Sequence, residues 1–322
     1  MNQTILGKSG MEVSRIAFGT WQLGGEWGPT DTDAATGAIR RAAELGVTFF
    51  DTAQAYGFGR SEQLLAAALH GLPREQIIIA TKGGLRATER GLERDASARW
   101  IREGVEASLR SLDTDYIDLY QVHWPDPSTP LDETATALGK LVADGKVLHV
   151  GVSNFDVRQM EDFSSVLPVE TMQPPYHLFR RGIESDLLPY AAENNIGVLV
   201  YGPLAHGLLG GHLGPETRFA RDDWRSKSPA FQGDTFRRNL RAVDRLRKLA
   251  TDDLGITLAQ LAIGWTLANP AVDVAIVGTR NPLHVDETVA AADLHLDDTV
   301  LAEIAEIMRE AVSVAGPSPE GM

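Results

Sequence analysis

The sequence predicts an α/β chain folded as a (β/α)8 barrel, eight parallel strands closed on themselves and ringed by helices, with an N-terminal β-hairpin and extra helices. Two observations carry this. Short apolar runs alternate with longer amphipathic ones along nearly the whole chain of 322 residues. Continuously apolar strands followed by helices mark a parallel sheet covered by helices. Eight such units are present, a number that favours a closed barrel over an open doubly wound sheet. Length alone suggests two domains at about 150 residues each, but barrels of this kind exceed about 200 residues as one unit, so residues 1–322 are expected to be a single domain.

The expected strands end near Phe18, Asp51, Thr81, Val122, Val152, Met172, Tyr201 and Val277. Helical patterns lie between and after them: Asp33–Leu45, Ser61–Leu69, Ala96–Leu112, Leu131–Ala143, Asp156–Phe163, Glu184–Asn194, Leu258–Ala268 and Asn281–Ala292. There apolar residues recur at steps of three and four, the helical period. Two pieces fall outside the rhythm. The segment TILGKSGMEVSRI reads as a hairpin turning at Gly-Lys-Ser-Gly and capping the barrel floor. The stretch from His206 to about Leu254 begins as a Gly-, Pro- and Arg-containing loop and continues as a charged helix, Thr235–Ala250. Long loops in compact domains are usually functional. A last helix is expected at Leu296–Met308, followed by a frayed tail from Ala311.

Composition removes several classes of function. The net charge is −14 without a basic block, unsuited to nucleic acid or an anionic membrane surface. There is no cysteine, which excludes disulfides, thiol nucleophiles and Cys-ligated metal. The N-terminus has no charged-then-apolar leader, and no apolar run nears the roughly 20 residues of a membrane span. The default expectation is a soluble cytoplasmic protein with no resident metal.

The informative feature is the C-terminal end of each strand. Strand 2 ends Asp51-Thr52, strand 3 Thr81-Lys82, strand 4 Gln121-Val122-His123, strand 5 Ser153-Asn154, strand 6 Gln173, strand 7 Tyr201-Gly202 and strand 8 Gly278-Thr279-Arg280. Barrels build their active sites on this face from several strand ends. Each residue alone has a plainer reading: Asp51 as a helix cap, His123 as a hydrogen-bonding residue, Lys82 as a side chain reaching solvent, Ser153-Asn154 as caps of the next helix. Three ionisable groups on successive strands favour a shared cleft, since a buried lysine is tolerable beside a carboxylate.

The runs DTAQAYGFGRSEQLL, ATKGG, LYQVHW, GVSNF, YGPLAHGLLGG and VGTRNP, in this order, resemble the aldo-keto reductases, from Leu6 to about Met308. The QGDTFRRNL region resembles the bacterial branch that includes inositol-utilisation and general-stress reductases. The resemblance implies a TIM barrel that reduces aldehydes and ketones to alcohols with NADPH, and a tetrad of Asp51, Tyr56, Lys82 and His123. The chemistry is coherent. Hydride addition to a carbonyl creates an alkoxide that needs a proton donor. A tyrosine, ordinarily near pKa 10, becomes a better one beside an ammonium. Lys82 would supply the charge, Asp51 would hold Lys82, and His123 would position the carbonyl oxygen. Trp21, Tyr56 and Trp124 would form an aromatic substrate pocket.

The same resemblance implies cofactor contacts at Thr20, Trp21 and Asp51, at Ser153, Asn154 and Gln173 for the carboxamide, and at Tyr201 for stacking. The pyrophosphate would meet Gly202, Pro203, Leu204 and Gly207, and the adenosine end Gly278, Thr279, Arg280, His284 and Glu287. Arg280 can fork onto a 2′-phosphate. Relatives often carry other residues where this chain has Gly202, His284 and Thr288, so NAD stands as the alternative cofactor. Gly57-Phe58-Gly59 opens a G-x-G-x-x-G, but Glu62 takes the third glycine position, and a plain turn is the better reading. Three other functions compete: a Schiff-base lyase using Lys82, a metal-dependent hydrolase, for which GTWQ offers no His-x-His, and a slow or non-catalytic NADP-binding regulator like the potassium-channel β subunits.

Overall fold

The computed structural model describes residues 1–25, 31–221 and 223–314. β1 (Gln3–Ile5) and β2 (Glu12–Ser14) form an antiparallel hairpin, with Gln3 opposite Ser14. β3 (Ile16–Gly19), α1 (Thr32–Glu44), β4 (Phe49–Asp51), α2 (Arg60–Leu69) and β5 (Ile78–Gly83) follow. A second hairpin, β6 (Leu85–Thr88) and β7 (Gly91–Arg94), comes next and was not expected. The chain continues through α3 (Ala98–Leu112), β8 (Ile117–Val122), α4 (Leu131–Ala143), β9 (Val147–Ser153), α5 (Val157–Ser164), β10 (Thr171–Gln173), α6 (Leu187–Glu193) and β11 (Gly197–Tyr201). It ends with α7 (Gly233–Lys248), α8 (Leu258–Ala268), β12 (Val274–Val277), α9 (Leu283–Ala290) and α10 (Asp298–Met308). The barrel closes in the order β3, β4, β5, β8, β9, β10, β11, β12, every neighbouring pair parallel.

Some boundaries move for identifiable reasons. α5 starts after Asp156, whose carboxylate accepts from Gln159 N at 2.8 Å while Gln159 Oε1 accepts from Asp156 N at 2.9 Å. This capping box makes Asp156 the cap, not Ser153-Asn154. The Glu184–Asn194 pattern splits into a 3-10 turn at Gly182–Glu184 and the shorter α6. α7 begins at Gly233 and ends in a wide π turn at Leu249–Asp253. The tail is not frayed where it is described. Val312 exchanges two hydrogen bonds with the Asn239 side chain, and Val314 N donates to Phe179 O at 2.7 Å. Residues 315–322 of the expected frayed tail lie outside the described residues.

Strand parity decides what faces inward, because successive side chains point to opposite faces. Ala17, Phe49, Ala80, Leu119, Leu199, Val274 and Ile276 pack together inside the barrel, and Leu6 and Val13 of the N-terminal hairpin plug its floor. Their strand neighbours, among them Phe18, Phe50, Ile79, Tyr120, Val152 and Val200, pack outward against the helices. Counting in twos from the inner set reaches Asp51 from Phe49, Lys82 from Ala80, His123 from Leu119 and Tyr201 from Leu199. The same ladder that builds the apolar core therefore aims these polar side chains into the mouth. Among the described residues no helix is long and apolar enough to cross a membrane.

Candidate active site

Lys82 is 1% exposed, and its Nζ donates to Asp51 Oδ1 at 2.6 Å and Thr52 O at 2.8 Å. A buried charge needs such partners, since desolvating an ammonium alone costs several kcal/mol. Asp51 is held from its other side by Gln173 Nε2, 2.9 Å from Oδ2. Its backbone carbonyl accepts from Thr20 N and Thr20 Oγ1 at 2.9 and 3.1 Å. Thr20 is thus a buried support beneath the site.

Tyr56 follows Asp51 in a loop that turns through Gly57, Phe58 and Gly59 with φ of 65°, 46° and 100°. Left-handed backbone of this kind is easy for glycine and costly for phenylalanine. The turn leads into α2, where Glu62 is buried and accepts from Thr81 Oγ1 at 2.7 Å. Burial raises the Glu62 pKa. Glu62 therefore packs behind the barrel wall, in keeping with a turn and not a phosphate-binding glycine motif. The Tyr56 ring lies between three groups: Lys82 Nζ 5.2 Å from its centroid, the His123 ring at 5.7 Å edge-on, and the Trp21 ring at 6.5 Å. Burial, aided by the Lys82 charge, drives the His123 pKa well below the ordinary histidine value, so the imidazole is neutral.

Neutral polar groups complete the wall. Ser153 Oγ donates to Gln173 O at 2.8 Å, Asn154 Nδ2 donates to His123 O at 3.0 Å, and Tyr201 OH donates to Asn154 Oδ1 at 2.9 Å. Asn154 takes φ of 62°, a conformation asparagine tolerates better than most residues.

A cavity of about 240 Å3 opens above these groups. Trp21, Asp51, Tyr56, His123, Ser153, Asn154, Gln173, Tyr201, Gly202, Pro203, Leu204, Gly207 and Gly278 all line it. Lys82 and Thr20 stand behind the lining. Thr279, Arg280, His284 and Glu287 lie off the cavity on the segment after β12, with Arg280 and His284 exposed. Trp124 turns away: it is buried beneath the Arg94 guanidinium, 5.1 Å from its ring, and lines an adjoining cavity.

Six lining residues were not among the expected site residues: Gly19, Ile276 and Val277 of the strand ends, and the polar Gln22, His206 and Arg225. His206 adopts φ of 56° and meets Trp224, Trp21 and His177 edge-on at 5.0, 6.2 and 6.3 Å. Arg225 Nη1 donates to His206 O at 3.2 Å and is paired with Asp223 at 2.7 Å. Burial, then the charges of Arg180 and Arg225, lower the His206 pKa to about 4. The only trace of this residue in the sequence is its place between the glycines of YGPLAHGLLGG.

The chain matches known proteins over most of its length. Residues 15–309 match the profile of the Aldo/keto reductase family. The aldo-keto reductase YhdN of Bacillus subtilis is 46% identical over 284 residues, 88% of this chain and 86% of that protein. The NADH-specific methylglyoxal reductase of Escherichia coli is 32% identical over 327 residues, 96% of this chain and 99% of its own. The solved structure of a glycerol dehydrogenase from Gluconobacter oxydans superposes with a TM-score of 0.88 at 40% identity, over 96% of this chain and 95% of that one. Inward parity, the polar mouth and these matches over most of the chain agree: it is an oxidoreductase belonging to the aldo/keto reductase family.

Proposed function

We propose that the chain reduces aldehydes and ketones to alcohols with NADPH, and that Tyr56 is the general acid. The observation that carries this reading is the position of the Tyr56 ring, flanked at 5.2 Å by the Lys82 ammonium and at 5.7 Å by the His123 ring. Tyr56 OH gives its proton to the carbonyl oxygen as charge develops there. Lys82 stabilises the phenolate that remains, and Asp51, fixed by Gln173, keeps Lys82 paired and aimed. Neutral His123 donates one N–H to the same oxygen and orients it. The two acceptors on Lys82 argue against a Schiff-base lysine, which needs a free amine.

The residues present suit a nicotinamide dinucleotide, which supplies the hydride when bound. Ser153, Asn154 and Gln173 offer neutral donors and acceptors to a carboxamide. The Tyr201 ring, half-buried on the cavity, offers a stacking face. Gly202 and Gly207, at φ of 70° and 98°, let backbone approach a pyrophosphate. Arg280, exposed beyond β12, would meet a 2′-phosphate, which supports NADPH. Because the E. coli relative is named NADH-specific, both cofactors belong in the test.

The test is reduction of a carbonyl panel with NADPH and NADH, followed at 340 nm, by the wild type and Tyr56→Phe. The substitution should lower kcat by at least about 100-fold, the scale of lost acid catalysis, and leave cofactor affinity nearly unchanged. A Tyr56→Phe rate equal to wild type refutes the assignment.

A further inference from the structure

Beside the catalytic cavity lies a second one, of about 660 Å3, on the β8–β10 side of the mouth. The two share Asn154 as a wall. Trp124, the residue after His123, forms part of the second cavity, and Arg94 and Arg180 border it.

These two arginines differ from Arg74 and Arg225, which are also half-buried near the barrel ends. Arg74 is matched by Asp118 at 2.6 Å and Arg225 by Asp223 at 2.7 Å. Among the described residues Arg94 has only the Pro125 carbonyl at 3.1 Å and the face of Trp124. Arg180 is half-buried, and among the described residues its guanidinium has no carboxylate within 4.0 Å and no hydrogen-bond acceptor. Two aspartates share the cavity, but both are committed to helix starts: Asp156 accepts from Gln159 N and Asp186 from Leu187 N. The Arg180 charge also reaches His206, which lines the catalytic cavity, and His177, and it helps keep both imidazoles neutral. Holding a half-buried guanidinium without an anion is costly, and a ligand carboxylate would supply the missing partner.

We infer that this second cavity is a subsite for an anionic group on the substrate, with Arg180 as its principal contact and Arg94 stacked on Trp124 as the second. The preferred substrates are then carbonyl compounds that carry a carboxylate several carbons from the reacting carbon. The inference rests on the reductase reading above. The lining of the second cavity includes no residue of the glycine loop after β11 or of the segment after β12, and of the proposed cofactor contacts it shares only Asn154. Reduction adds hydride to the carbonyl carbon and a proton to its oxygen, and the carboxylate passes through unchanged.

The experiment compares ω-oxo carboxylates of four to eight carbons with n-alkanals of equal length, using wild type, Arg180→Ala, Arg180→Lys and Arg158→Ala. The quantity read is the ratio of kcat/KM for the oxo acid to that for the alkanal. Wild type should favour the oxo acid at one or more chain lengths. Arg180→Ala should lower the ratio by about tenfold to a hundredfold, chiefly through KM, as expected for losing about one charge-assisted pair. Arg180→Lys should restore part of it, and 0.5 M salt should lower it in wild type. Arg158→Ala, an exposed arginine of α5 outside the cavity, should leave it unchanged. A ratio unaffected by Arg180→Ala, with both compounds still reduced, overturns the subsite alone. Reduction of neither compound by wild type overturns the reductase reading and the subsite with it.

Discussion

The floor and the mouth of the barrel occupy the same inward-facing strand positions and are built on opposite principles. At the floor, Leu6 and Val13 are fully buried against Phe49, Leu199 and Val274. Gly7, at φ of 49°, lets the hairpin lie where any Cβ would overlap the backbone nitrogen of Gly197. At the mouth, one or two alternations further along the strands, the inward residues are Asp51, Lys82, Gln173 and His123, with 3%, 1%, 3% and 2% exposure. Apolar burial is non-directional and stabilises in proportion to area. The polar layer stabilises only if each charge keeps its partners. The difference teaches where each kind of damage should appear: lost stability below, lost rate above.

Lys82→Met should blur that division most. It should abolish turnover, and it should destabilise by about 3–5 kcal/mol because Asp51 stays buried without its cation. Steady-state rates and chemical denaturation read the two effects separately, and a retained rate would remove Lys82 from the mechanism. Leu6→Ala sharpens the comparison from below. Deleting a buried leucine costs about 2–5 kcal/mol, while kcat of the folded fraction should stay within about twofold of wild type. A large loss of kcat at full folding would mean that floor and mouth are coupled.

The smallest effect concerns pH. The folded His206 pKa, about 4, lies below the ordinary 6.5. The unfolded chain therefore binds more protons between those values, and stability falls as pH drops from 6.5 toward 4 and levels off below. His206 keeps one edge on the cavity, where water moderates the shift, so the contribution is on the order of 2 kcal/mol. His206→Asn, which retains tolerance for left-handed backbone, should flatten this part of the profile measured by thermal unfolding. An unchanged slope would assign the acid sensitivity to His123 and His177, whose pKa values are also lowered by burial.

The eight barrel strands were legible because each combines an apolar run with a polar end, and both signals come from the same parity. Tyr56 was legible only through the family resemblance, since its place depends on a loop. The hairpin of β6 and β7 was missed because each strand is only four residues long and, of the eight, only Leu85 is fully buried. His206 and Arg225 were missed for a different reason. They reach the cavity through the packing of Trp224, Phe219 and Phe231 in the long loop, with Arg225 over Phe219 at 4.5 Å, and no periodicity encodes that. Arg180 was invisible because what distinguishes it is the lack of a carboxylate partner among the described residues, a property of space and not of order along the chain.

Strand parity also governs which heritable changes this protein can absorb. One residue inserted in β5 ahead of Thr81 would turn the ammonium out of the barrel, into the place where Gly83 now meets the Tyr120 hydroxyl, and put a threonine in the inward position of Lys82. Insertions and deletions inside the strands are thus lethal to chemistry even where they spare the fold. The loops between His206 and Gln232 and around Arg180 carry no such counting rule. Lineages descended from one barrel are therefore free to drift in what they reduce while remaining bound to how they reduce it.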